Sequence, residues 1–201
     1  MGTDPTTEEK IKNAARDIFM RKGYAATKTR DIAEEAGINL ALLNYYFRSK
    51  EKLFQQIMKE SLTGFFEHIR SVFMNPDTTL EEKFSLLAKS YIDQIIQQPD
   101  TPMFILSELR TRPEEFINLM SGQIKMRDTA IFPQLVEEIG MERLHEINPV
   151  HIMMNLISLV IFPFIGKPMI ERIADVDDAS FKALMEQRKE LIPKWIMQML
   201  K

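Results

Sequence analysis

The sequence predicts an all-α protein with a three-helix N-terminal head, built around a helix-turn-helix, and a larger C-terminal helical domain. Apolar residues recur every three to four positions through most of the 201 residues, and no period-2 run suggests a strand. Proline and glycine stand singly at intervals that fit helix boundaries. We expect the head to span residues 1–50 and the second domain residues 51–201.

The first predicted helix starts at a capping box formed by Thr6 and Glu9. Gly23 fits its C-terminal stop. The apolar positions between them have helical spacing and define the buried face: Ile11, Ala14, Ala15, Ile18 and Phe19.

The second and third predicted helices are short and are joined by a four-residue turn that contains Gly37. Thr29 is predicted to cap the second helix, Asn39 the third, and Ser49 a long fourth helix. In the third helix, Leu43 and Phe47 lie one turn apart on the side expected to be buried.

Amphipathic runs predict further helices near residues 79–98, 101–120, 122–139, 149–165 and 179–200. Pro163 and Pro193 fall inside or at the edges of the last two. Each is expected to kink its helix or to start a new one.

Composition describes an ordinary globular protein, with 45% hydrophobic and 27% charged residues. The net charge of −3 at first argues against a nucleic-acid partner. Residues 1–54, however, carry ten Lys or Arg against eight Asp or Glu, while the rest of the chain is net acidic. Because the head is only mildly basic, its charge alone does not decide whether the protein binds nucleic acid, and the decision rests on sequence motifs.

The residue inventory predicts a cytoplasmic protein that is not an enzyme and has no metal or cofactor. The chain has no cysteine, and its first ten residues lack the pattern of a signal peptide. Its three histidines are scattered, and no Gly-rich phosphate loop or nucleophile elbow is present. A run of mixed charge around Pro113 is interpreted as a solvated turn rather than a catalytic carboxylate pair: Glu108, Arg110, Arg112, Glu114 and Glu115.

Two short helices around a glycine-containing turn form a helix-turn-helix, which places its second helix in the DNA major groove, although a simple helical hairpin has the same spacing. The residues favour DNA. The stretches TRDIAEEAGIN (29–39) and YYFRSKEKL (45–53) strongly resemble the DNA-binding head of the TetR family of bacterial regulators. The resemblance covers residues 9 to about 58. Asn44 replaces the family's usual tyrosine, and Leu40 and Ala41 replace polar or small residues, so the target sequence is expected to differ.

Candidate phosphate contacts are Thr29, Tyr45, Tyr46 and Lys50. Thr29 can offer its hydroxyl, although a simple helix cap would have the same sequence. The resemblance implies phosphate binding for Lys50 and Tyr46. Alternatively, one of these two tyrosines is a partly buried residue of the core. Candidate base contacts are Arg30 and Asn44 by hydrogen bonding, and Leu40 and Ala41 by apolar contact.

The resemblance also implies that the C-terminal domain dimerises through its last two long helices and holds a small apolar or amphipathic ligand. Candidate pocket residues, taken from helix position, are Phe65, His68, Met103, Phe104, Met126 and Asn155. Candidate interface residues are Phe181, Leu184, Arg188 and Trp195. An ordinary monomer core is the alternative for these helices, and core filling is the alternative for the abundant methionines. His151, Asn155 and Ser158 form one polar stripe that lines a cavity or makes hydrogen bonds in the core or across an interface.

The sequence therefore predicts a homodimeric regulator, most simply a repressor, that binds a palindromic operator in double-stranded DNA and responds to a ligand. Two other classes stay open. The chain could be a helical interaction module without DNA binding, or a small-molecule carrier.

Overall fold

The computed structural model describes residues 6–114, 117 and 125–201, and within them the regular structure is helical, with no strand. The all-α prediction is confirmed. The helices are α1 (Thr7–Ala26), α2 (Thr29–Glu35), α3 (Leu40–Tyr46), α4 (Lys50–Met74), α5 (Leu80–Gln97), α6 (Thr101–Thr111), α7 (Ile131–Ile139), α8 (Pro149–Ile165), α9 (Lys167–Ala174) and α10 (Asp178–Met199). Glu115 and parts of the predicted helices 101–120 and 122–139 lie outside the described residues.

The chain packs as two compact units. The first contains α1 to α3, α4 as far as Phe66, and α6 from Met103 onward. The second contains the end of α4, α5 and α7 to α10. The functional boundary expected at residue 50 stays a prediction.

Three predicted helix caps are confirmed. The Thr6 N–H donates to Glu9 Oε2 at 2.8 Å, and the Glu9 N–H donates to Thr6 Oγ1 at 3.3 Å, which completes the capping box. At α3 the Leu42 N–H donates to Asn39 Oδ1 at 2.8 Å. At α4 the Lys52 N–H donates to Ser49 Oγ at 3.2 Å. These side chains satisfy amide groups that have no partner within their helices.

The predicted cap at Thr29 is wrong by one residue. Thr29 is the first helical residue of α2, and Lys28 is the cap. The Lys28 N–H donates to Asp31 Oδ2 at 3.3 Å, so an acidic side chain inside the helix makes the capping bond. Gly37 has a φ of 66°, the left-handed conformation predicted to close α2. Gly23, the predicted stop of the first helix, has non-helical backbone angles (φ 74°), but α1 continues past it to Ala26.

The first unit has a continuous apolar core that fixes the head helices. All five apolar positions predicted for α1 are buried, as are Leu43 and Phe47 below α3. Helix α4 contributes Leu53, Phe54 and Ile57 to the same cluster. The core therefore holds α2 and α3 from one side only.

In the second unit, α10 packs along α5, and both contact α8. Pro163 and Pro193 lie inside helices that continue through them, so neither starts a new helix. No single helix in the described part of the chain is long and apolar enough to cross a membrane. The pair formed by α8 and α9 has sufficient length and apolar composition but is bent by 72°.

Two predictions for the second unit need correction. Within its described part, residues 125–139, the helix predicted at 122–139 is α-helical only from Ile131. Met126–Asp128 form a 3-10 turn, after which the Thr129 hydroxyl donates to Met126 O at 2.5 Å. Helix α9 was not predicted as a separate element. Gly166 ends α8, and a proline in the first turn of α9 begins the new helix.

Candidate nucleic-acid interface

Helix α3 has one buried and one open side. Leu43 and Phe47 are 1% and 7% exposed, whereas Tyr45 is 80% exposed. Ala41 and Asn44 are also exposed, and Leu40 is partly buried. Because the core anchors the helix from below, its outer side is available to a macromolecular groove.

Tyr45 and Tyr46 form an exposed aromatic pair at the end of α3. Their rings meet edge to face, with centroids 5.4 Å apart, and Tyr46 is 40% exposed. Neither is part of the head's buried cluster. Neither Tyr45 nor Tyr46 is therefore a partly buried core residue.

Exposed cationic side chains stand at the start of α2 and in the segment that follows α3. Arg30 is exposed, as are Lys28, Arg48 and Lys52. None of the four forms an ion pair within the described residues. Sequence reasoning did not select Arg48 and Lys52 as contacts, although their positions on either side of the Ser49 cap were visible in the sequence.

The carboxylates of α2 are paired with cations of α1. Lys22 Nζ lies 3.3 Å from Asp31 Oδ2, and an Arg21 nitrogen lies 3.4 Å from a Glu35 oxygen. The Lys28 N–H, followed by Lys22, lowers the pKa of Asp31 below its usual value. These pairs partly neutralise the acidic residues of the helix-turn-helix.

Lys50 has a more constrained position than sequence reasoning expected. Its ammonium donates to the carbonyl oxygens of Tyr24 at 2.9 Å and Thr27 at 2.8 Å, and lies 4.1 Å from the centre of the Tyr24 ring. Burial lowers the pKa of Lys50, and the nearby Arg112 guanidinium lowers it further. The residue therefore ties the start of α4 to the end of α1, and its role toward phosphate stays a prediction.

The interpretation of the mixed-charge run as a solvated turn is wrong for Glu108, which is buried. Its side chain is 2% exposed, and its carboxylate accepts from Arg112 at 3.1 Å and from the Tyr24 N–H at 3.3 Å. The Arg112 guanidinium stacks 3.9 Å from the centre of the Tyr24 ring. Arg112 and Lys50 thus share one aromatic ring beside a buried carboxylate.

The predicted pocket residues are divided between the two units. Phe104 is buried in the core of the first unit, where its ring lies 5.8 Å from that of Phe54, so its assignment to a pocket was wrong. The Phe65 ring meets the Phe66 ring edge to face, with centroids 5.4 Å apart, and Met103 is 56% exposed. In the second unit, His68 Nε2 lies 2.7 Å from Ser90 Oγ, and only Met126 of the six lines the cavity described below.

Two of the predicted interface residues lie on an exposed stripe of α10. Leu184 is 39% exposed, and Trp195 is partly exposed, with the Arg188 guanidinium 5.1 Å from its ring. Arg188 also donates to Leu159 O of α8 at 2.7 Å. Phe181 is 2% exposed and packs on Phe164, so it belongs to the chain's own core and not to an interface.

The polar residues of α8 point away from the core. His151, Asn155 and Ser158 are exposed, and Asn155 Nδ2 donates to Met199 Sδ at 3.4 Å. Of the alternatives left open by the sequence, burial within the core is therefore wrong. A position at an interface stays a prediction.

An anchored helix-turn-helix with an open second helix and a cationic border defines a DNA-binding regulator. A family model described as bacterial regulatory proteins, tetR family, matches residues 11–57. The probable HTH-type transcriptional regulator YttP of Bacillus subtilis is 25% identical over 170 residues, 84% of this chain and 82% of YttP. The IcaR regulator of Staphylococcus aureus, described as a negative transcriptional regulator of the biofilm operon icaADBC, is 27% identical over 118 residues, 59% of this chain and 61% of IcaR.

Solved structures share the fold. HlyIIR, a hemolysin II transcriptional regulator, superposes with a TM-score of 0.57 at 21% identity, covering 89% of this chain and 96% of HlyIIR. The fatty acid degradation regulator FadR from Bacillus halodurans gives 0.55 at 20% identity, covering 96% and 97%. The head of the chain, residues 11–57, therefore matches the tetR family of bacterial regulatory proteins, and the curated relatives named above are transcriptional regulators. These relatives are described as transcriptional regulators and not as enzymes.

Proposed function

We propose that this regulator is a homodimeric repressor that binds a palindromic operator through α3 and loses affinity for it when a small molecule occupies the C-terminal unit. The observation that carries the DNA-binding part is the outer side of α3, where Tyr45 is 80% exposed above a buried Leu43. Repression is proposed because IcaR is a negative regulator. Since operators lie on the bacterial chromosome, the protein is expected to act in the cytoplasm.

The proposed contacts fall into two classes. Thr29, Tyr45, Tyr46 and Lys50 would bind phosphate and fix the position of the head, with Arg48 and Lys52 as added cations in the same region. Base edges would be read by Arg30, which donates hydrogen bonds, by Asn44, which can donate and accept them, and by apolar contact from Leu40 and Ala41. The exposure of Arg30, Asn44 and Ala41 supports their access to base edges.

Dimerisation is supported by exposed apolar residues on two adjacent helices. On α8, Val150, Met154 and Ile157 are 51%, 56% and 42% exposed. On α10, Leu184, Leu191 and Met199 are 39%, 37% and 42% exposed at helical spacing. The bonds from Arg188 to Leu159 and from Asn155 to Met199 hold the two helices side by side. A second copy would cover this surface as the other half of a four-helix bundle.

Ligand control would act by a population shift. A ligand that binds better to one arrangement of the two heads changes their separation, and hence their fit to successive major grooves roughly 34–36 Å apart. Helix α4 is the proposed connection, because it starts at Lys50 in the head and runs without interruption to Met74.

Selection of bound duplexes from a random pool tests the DNA-binding proposal. We expect a two-fold symmetric sequence whose half-sites are separated by about one helical turn. Tyr45→Ala and Asn44→Ala should reduce affinity for it at least tenfold, whereas Gln55→Ala, at an exposed position on α4, should not. Arg30→Ala should change the preferred sequence, and an equal loss on specific and random duplexes would exclude base reading by Arg30. Failure to enrich any duplex would refute the proposal and favour an interaction module.

Sedimentation of two variants tests the dimer. Leu191→Glu places a charge on the exposed stripe of α10 and is expected to give a monomer. Ala183→Glu adds the same charge at an exposed position outside that stripe and should leave the dimer intact. Dimers of equal stability in both variants would place the interface elsewhere.

A further inference from the structure

The second unit contains a cavity of about 460 Å³ between α7 and the start of α8. This volume is in the range of small-molecule sites. Its apolar wall includes Met126, Phe132, Val136 and Leu144. All four side chains are only partly buried, so the chain itself leaves apolar surface uncovered here. An apolar body in the cavity would remove that surface from water.

The polar side chains among the described residues that line this cavity offer hydrogen-bond donors. Lys125 and Arg127 are its charged lining residues, and neither forms an ion pair within the described part of the chain. Asn148 also lines it, but Asn148 Oδ1 already accepts from the Val150 N–H at 3.0 Å. The group that Asn148 has to offer is therefore its NH₂. Two cations and an amide donor, with no carboxylate among the described lining residues, complement an anion.

The position of α8 adds to the same potential. This helix has 17 residues and begins at Pro149, which is itself a lining residue. The N-terminal end of a helix dipole is positive, so it favours negative charge at this edge of the cavity. The contribution is secondary to that of Lys125 and Arg127.

We propose that this cavity binds an anionic amphiphile: a carboxylate held by Lys125, Arg127 and Asn148, with a single hydrocarbon chain against Met126, Phe132 and Val136. At about 30 Å³ for a group the size of a water molecule, the cavity of about 460 Å³ accommodates roughly 15 non-hydrogen atoms, which is enough for a medium-chain carboxylate such as decanoate. Binding rests on the cavity alone, and its effect on operator affinity rests on the function proposed above.

Calorimetric titration of the full-length protein below the micellar concentration tests the binding. Decanoate is expected to bind at least tenfold more tightly than hexanoate, which shares the headgroup but lacks most of the chain. Decyltrimethylammonium, with the same chain and the opposite charge, should not bind. Equal affinity for decanoate and the cationic compound, or for decanoate and hexanoate, would overturn the proposal.

Variants connect the binding to these residues. The double variant Lys125→Gln, Arg127→Gln should weaken decanoate binding at least tenfold, because it removes both charges while keeping polar side chains of similar reach. Arg172→Gln removes an exposed cation of α9 that does not line the cavity and should have no effect. Unchanged affinity in the double variant would refute the site.

A gel shift with the selected operator separates this proposal from the preceding one. If the free protein binds no operator but decanoate binding is lost in the double variant, the cavity assignment stands and the DNA-binding function fails. If the protein binds its operator and decanoate gives no calorimetric signal, the cavity assignment fails and the DNA-binding function stands. If both proposals hold, decanoate should release the operator from the natural protein and not from the double variant.

Discussion

Replacing Glu108 by alanine should destabilise the head by about 3 kcal/mol. The carboxylate lies 3.1 Å from an Arg112 nitrogen and accepts the Tyr24 N–H at 3.3 Å. At an effective dielectric constant of about 20, a pair at this distance attracts by roughly 5 kcal/mol. Part of this is recovered in the variant, since the Arg112 side chain is 20% exposed and can regain water. The expected loss therefore falls near the low end of the roughly 3–5 kcal/mol seen when one partner of a buried pair is removed.

Truncation also leaves two cations on one ring. Lys50 and Arg112 both lie against Tyr24, at 4.1 and 3.9 Å from its centre. Without the Glu108 carboxylate their repulsion is no longer offset. Glu108→Gln should cost less than Glu108→Ala, because its amide oxygen can still accept the Tyr24 N–H while the charge is lost.

Hydrogen exchange read by mass spectrometry measures the loss where it occurs. Peptides from α1 and the first half of α4 should exchange about a hundredfold faster in Glu108→Ala, which corresponds to about 3 kcal/mol. Urea unfolding followed by circular dichroism should show a lower midpoint. Glu114→Ala removes an exposed carboxylate from the same segment and is the matched control. If the two variants differ by less than about 1 kcal/mol, the reasoning about the buried pair is wrong.

Three further predictions concern charge, pH and backbone conformation. Lys50→Ala should weaken the salt dependence of DNA binding measured by fluorescence anisotropy. The slope of log affinity against log salt concentration should become shallower by about 0.9 for each phosphate that the head no longer neutralises, whereas Gln55→Ala should leave the slope unchanged. Hydrogen bonds from Lys167 and, second, from Lys182 lower the pKa of Asp178 from an ordinary value of 3.8 to about 2. The ionised Asp178 carboxylate therefore stabilises the folded protein above about pH 4, and this stabilisation is lost as the pH falls from about 4 to about 2. Asp178→Asn should flatten the change of the urea midpoint across that interval. Gly37→Ala should cost about 1 kcal/mol, because φ is 66° there and alanine disfavours that conformation, whereas Gly64→Ala in the middle of α4 should stabilise the protein in the same urea assay.

The parts of the fold that were predicted correctly depend on contacts between neighbours in the sequence. The Thr6 capping box and the caps at Asn39 and Ser49 each join residues three positions apart. The buried side of α1 follows from a regular period. Such features are visible in a sequence because the chain brings these groups together as soon as a helix forms.

Errors arose where the partner comes from a distant part of the chain. The four-residue spacing of Glu108 and Arg112 indicates an ion pair, but burial of Glu108 depends on Tyr24, 84 positions away. Phe104 was assigned to a pocket by its helix alone, yet its partner is Phe54. The cation-lined cavity also escaped prediction as a site, because its walls come from a 3-10 turn, α7 and the start of α8. No single periodic pattern describes such a set of residues.

Lys50 shows how stability and DNA binding can depend on the same side chain. Two of its three N–H groups bond the carbonyls of Tyr24 and Thr27 at the end of α1, where backbone oxygens lack helical partners. Ordering a lysine side chain costs up to roughly 2 kcal/mol of conformational free energy, and in Lys50 that freedom is already lost when the head folds. Lys52 is exposed and must lose it on binding. Equal charges two positions apart should therefore contribute unequally to phosphate binding, with the fixed lysine contributing more.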